Sequence, residues 1–238
     1  MEDLLSTWTD SYDKLYLKAI NELNMDLLKY LIQGNYPIKS IDKCFVAIIQ
    51  GGNLEALHIF VTAGYIPNSS LGKYFLKTAR FASKLSLIKY LYESQIHIDY
   101  IIRYDPENFY VINNNVVDVF DYLLENNMID QLSIDAINEM ALVYAYVPLY
   151  KMVLKYNPDV NLDLWLEEAI HSSWDSISFL ISMGANPNYN NSELIKGAYM
   201  KNDEELLKLL LDKGGDVSNV SLTDLPIVKL LYDRGVRY

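Results

Sequence analysis

"AIIQGGNLEALHIFVTAGYIPN", Ala47 to Asn68, carries the plan of the whole chain. An apolar run ends at a Gly-Gly-Asn break. A second apolar stretch follows, with Leu57 and Val61 four residues apart and so stacked on one face of a helix. Gly64 comes three residues after Val61, and Gly there suits a left-handed helix C-cap because it has no Cβ to clash. The stretch therefore reads as helix, tight turn, helix, cap and loop.

The same grammar recurs along the sequence. "YLIQGNYP" (Tyr30–Pro37), "FLISMGANPN" (Phe179–Asn188) and "LLLDKGGDV" (Leu209–Val217) copy it closely, and the stretches from Tyr90, Tyr122 and Met152 copy it with Ser or Asn in the glycine slot. The slots fall at Gly34, Gly64, Ser94, Asn127, Asn157, Gly184 and Gly214, spaced by 27 to 33 residues, with a truncated step to Gly235. Three residues before them stand Leu31, Val61, Leu91, Leu124, Leu154, Ile181 and Leu211; seven before stand Leu27, Leu57, Leu87, Phe120, Tyr150, Ile177 and Leu207. Ala19, Ala47, Ala79, Ala141, Ala169 and Ala198 precede the slots by fifteen to seventeen residues and place a small side chain in an earlier helix of each unit. Polar breaks at 51–53, 113–115, 172–175 and 201–203 separate the two helices. The unit around "ENFYVINNN" has no such alanine.

A 30-residue helix pair cannot bury its own apolar faces, so neighbouring pairs must stack. The expected fold is all-α, a solenoid of about seven helix-turn-helix repeats with a partial C-terminal cap. A period near 30, with Gly-Asn-Leu-Glu opening the second helix and Ala-Gly closing it, resembles the ankyrin repeat; "SMGANPN" and "DKGGDV" resemble the ankyrin Gly-Ala-Asp-x-Asn ending. Another α-solenoid is the alternative. The Thr-Pro-Leu-His start of the ankyrin first helix is missing throughout. "SIDK" (Ser40–Lys43) and "NSEL" (Asn191–Leu194) replace it; their Ser or Asn can cap a helix, and a looser turn between repeats is expected. One ankyrin-repeat domain over 1–238 is expected, with an N-terminal capping repeat at 1–34, central repeats at 35–222 and the cap at 223–238. The short spacing, the missing motif and the Tyr, Asn, Ile and Lys richness resemble the divergent ankyrin proteins of large DNA viruses.

Composition narrows the function. Hydrophobic residues make up 51% and charged residues 21%, which is a globular balance. A formal net charge of −11 argues against binding a nucleic-acid backbone and suits a partner protein with a basic surface. The acidic start "MEDLLSTWTD" is not a secretory signal, and no apolar run is long enough to span a bilayer, so a soluble intracellular (cytoplasmic) protein is expected. The single Cys44 excludes an internal disulfide and reads as a buried structural thiol.

Catalytic and metal chemistry have little to stand on. His58, His97 and His171 occupy different repeat positions and read as surface residues. "DVNLD" (Asp159–Asp163) starts like a calcium loop, but Leu164 and Ile170 stand where Gly and Glu are needed. Glu167/Glu168 and Asp203–Glu205 read as solvated or helix-capping acids. "LTDLPIVKLL" (Leu222–Leu231) reads as the start of a capping helix rather than an F-box-like ligase-recruiting segment. No enzyme, cofactor or metal is expected.

Regular apolar positions are consumed in stacking, so specificity falls to positions that vary between repeats. Ankyrin proteins bind other proteins through loop tips and the exposed side of the first helices. The resemblance thus points to Tyr36, Tyr65, Tyr100, Tyr104 and Tyr189 in loops and to Lys43, Tyr74, Trp165 and Glu167 on first helices, aromatics being enriched at interface hot spots. Packing between neighbouring loops is the competing reading of the tyrosines. The function expected is a protein-protein interaction module, a viral adaptor or antagonist of a host factor. The alternative is an acidic decoy that occupies a nucleic-acid-binding surface of its partner.

Overall fold

The computed structural model describes residues 12–78, 83–102 and 112–217. Among them every regular element is helical. The helices are α1 (Tyr12–Asn21), α2 (Met25–Gln33), α3 (Ile41–Gly51), α4 (Leu54–Thr62), α5 (Gly72–Lys77, entered through a 3-10 turn at Ser69–Leu71), α6 (Ser83–Glu93), α7 (Asn114–Glu125), α8 (Gln131–Tyr144), α9 (Val147–Tyr156), α10 (Leu162–Ala169), α11 (Trp174–Met183), α12 (Tyr189–Met200) and α13 (Glu204–Asp212). They follow the sequence period as first and second helices. The first helix expected before α7, Ala79, Tyr104, Gly235 and the C-terminal cap at 223–238 lie outside the described residues, as do residues 1–11 of the N-terminal capping repeat.

Contacts cluster the chain into two compact units, Met1–Ile137 and Asn138–Tyr238, with the boundary inside α8. In the first unit, first helices pack on first helices (α1 on α3, α3 on α5) and second on second (α2 on α4, α4 on α6, α6 on α7). In the second unit, α9 packs on α11 and α11 on α13. Each layer buries its apolar stripe against the next, through Phe45, Ile48, Leu57 and Phe60 in the first unit and Leu166, Ile177, Leu180 and Leu210 in the second. Ala19, Ala141, Ala169 and Ala198 are fully buried, and Ala47 is half-buried.

Five second helices begin on side-chain caps, whereas α9 follows Tyr146 without one. The side chains of Asn24, Asn53, Asn113, Ser173 and Asp203 accept from the backbone N–H groups of Leu27, Ala56, Val116, Ser176 and Leu206. Each satisfies one of the donors orphaned at a helix start. All but Asn24 fall in the polar breaks of the sequence. First helices vary: Asn161 accepts the N–H groups of Asp163 and Leu164 at the start of α10, and Asp130 accepts that of Ser133 at the start of α8. Ser40 precedes α3 without a side-chain cap bond, and α12 already starts at Tyr189, so Asn191 lies inside the helix rather than capping it.

The closing slots are left-handed at Gly64, Asn127, Gly184 and Gly214. In two repeats the left-handed residue is one position later, Asn35 and Gln95, while Gly34 is right-handed and Asn157 has φ −136°. The buried position of the second helix also shifts. Val61, Leu124, Leu154 and Leu211 are only half-buried, and the preceding Phe60, Leu123, Val153 and Leu210 fill the core instead.

Candidate protein-binding surface

Within each unit, loops after the second helices are fastened by side chains at or near the starts of first helices. Asp13 Oδ1, in the first turn of α1, accepts the N–H of Lys39 at 2.8 Å. Asp163, in the first turn of α10, does the same for Asn186 at 2.7 Å. Asn188 accepts from Asp216 N–H at 2.6 Å and donates to the Gly214 carbonyl at 3.1 Å. The Asp99 N–H donates to the Ser69 carbonyl at 3.0 Å while the Ser69 hydroxyl donates to the Asp99 carboxylate at 2.6 Å. The Ile102 N–H donates to the Ser133 hydroxyl at 3.0 Å. These bonds tie the loops to the first-helix starts, so turns expected to be loose are anchored.

Electrostatics follow the same contacts. The Ser69 hydroxyl and then His97, 2.9 Å away, hold the Asp99 carboxyl below its ordinary value. Tyr189 donates to Glu167, and that bond raises the phenol's pKa, with further contributions from its partial burial and from the charges of Glu167 and Asp163.

The sequence-selected residues divide. Glu167, exposed on α10, and Tyr189, half-buried at the start of α12, meet through that bond. Lys43 is exposed, and Tyr74 is half-buried with the Lys73 ammonium 5.2 Å from its ring centroid. Tyr36 stacks among Tyr12 and Tyr30 at 5.0 and 6.1 Å, and its carbonyl accepts from the buried Tyr16 hydroxyl. Tyr65 tilts against Phe60 at 5.5 Å. Two residues need correction. Tyr100 is 3% exposed, edge-on to Phe75. Trp165 is 4% exposed and lies flat on Tyr150 at 4.6 Å. Stacking consumes both side chains, and neither can touch a partner.

In the first unit, other exposed residues are not singled out by the sequence. A groove of about 570 Å3 opens between Lys39–Lys43 and the Ile66–Asn68 loop. Ile66 and Ile101, in two loops, and Leu132, in the first turn of α8, stand 68%, 53% and 76% exposed. The only available signal was negative: these apolar residues fall outside the period of the buried positions.

Second-helix side chains instead pair with each other. Lys29 meets Glu55 at 2.9 Å, His58 meets Tyr90 at 3.0 Å, and Tyr92 packs edge-on to Tyr122 with Lys89 above the Tyr122 ring. In the second unit Lys151 lies over Phe179. Cys44 is fully buried, and burial pushes its thiol up to about 12, which is the inert environment of a structural cysteine.

Among the described residues no cluster of His, Cys, Asp and Glu could hold a metal ion, and no helix is long and apolar enough to cross a membrane. In comparisons with known proteins, no family model, no curated protein and no solved structure matches the chain.

Proposed function

We propose that this chain is an ankyrin-type solenoid that binds another protein and catalyses no reaction. The observation that carries the reading is the contrast between the two edges of the repeats. Second-helix side chains are spent on neighbouring second helices, as in Lys29–Glu55 and His58–Tyr90. Loops and first-helix starts are anchored in each unit, by Asp13 in the first and by Asp163 and Asn188 in the second, yet the first presents Lys43 and Tyr74 and the second Glu167 and Tyr189 to solvent in full or in part. A rigid backbone with side chains that vary between repeats is what specific recognition requires. The sequence resemblance to viral ankyrin proteins extends the reading to an adaptor or antagonist of a host factor.

The acidic-decoy reading draws less support. A phosphate mimic needs carboxylates free to face a basic groove, whereas Asp13, Asp99 and Asp163 accept hydrogen bonds from their own loops. The two readings separate by salt, because a decoy's binding falls steeply with ionic strength.

Affinity capture from host-cell lysate with the full chain tests the proposal, repeated with Lys43→Glu, Tyr74→Ala and Glu167→Lys combined. A partner retained by the native chain and lost by the variant is the expected result. A partner held equally by both would refute the assigned surface.

A further inference from the structure

We draw no further inference here: the strongest candidate, the open groove between the start of α3 and the Ile66–Asn68 loop, lined by Lys39 and Lys43, rests on two surface lysines beside a helix N-terminus, and nothing in the structure shows what covers it.

Discussion

The Lys84 ammonium, 1% exposed, donates to the carbonyl oxygens of Ile49 at 2.5 Å and Gln50 at 2.9 Å. It reaches from the start of α6 to the C-terminal end of α3, where helix carbonyls lack intrahelical donors and the dipole favours a cation. Burial lowers the ammonium's pKa, and the two carbonyls offset part of that cost.

Replacing it tests that role. Lys84→Met keeps the aliphatic stem but removes the ammonium from the Gln50 carbonyl and from the Ile49 carbonyl, which retains the Gly52 N–H at 3.2 Å, at a cost of about 1–3 kcal/mol in urea unfolding. Lys29→Met, which removes only an exposed pairing with Glu55, should leave the unfolding midpoint where it is.

Tyr150 makes the opposite prediction. Its ring is buried between Trp165 and Phe179, and its hydroxyl has no hydrogen-bond partner among the described residues. Tyr150→Phe keeps the stack and removes an unpaired polar atom, so stability at neutral pH should match or exceed the native protein by about 1 kcal/mol.

The same residue sets an alkaline limit. Burial, helped by the charge of Glu168, raises the phenol from 10.0 to about 12. A folded-state pKa above the unfolded one means that the folded form holds its proton longer. This stabilisation is complete below pH 10.0 and is lost as pH rises towards 12. Unfolding followed from pH 9 to 12 should fall less steeply for Tyr150→Phe than for the native chain.

Backbone geometry gives two glycine predictions. Gly184 has φ +113°, so Gly184→Ala should cost about 1 kcal/mol in thermal unfolding. At Gly72 the constraint is space: a Cβ there would lie 1.9 Å from the Asp99 carbonyl oxygen. Gly72→Ala must therefore push the Asp99 loop off α5, and should cost about 1–3 kcal/mol and speed amide exchange at Asp99.

The loop anchors are testable one by one. Asp163→Ala removes the acceptor of the Asn186 N–H and should accelerate exchange of that amide while leaving the Lys39 amide, held by Asp13, unchanged. Asp99 should titrate below its ordinary value in carboxyl NMR, and Ser69→Ala should move it back up. Because that pKa is depressed in the fold, the anchor is present at neutral pH and weakens as pH falls through it.

The helical period was legible because its punctuation is chemical. Gly64, Gly184 and Gly214 are left-handed where Gly is the least strained residue, and Asn127 is the next most tolerant type. Gln95 carries the same conformation with no such signature, and Asn157 carries the signature without the conformation. The surface was harder to read. Whether an aromatic in a loop faces solvent depends on what the neighbouring repeat places beside it. Tyr100 meets Phe75, and Trp165 meets Tyr150. Lys84 reads as a surface charge until α3 is packed beneath it. Ile66 and Leu132 read as core residues until the period leaves them outside.

Hydrogen exchange of the full chain, alone and with its captured partner, tests the central claim most directly. Protection on binding should appear at residues 36–43, 65–74 and 97–102 and at 163–167 and 186–190, with second helices α4, α6 and α7 unchanged. Protection confined to α4, α6 and α7, with those loops exchanging as in the free chain, would contradict the account.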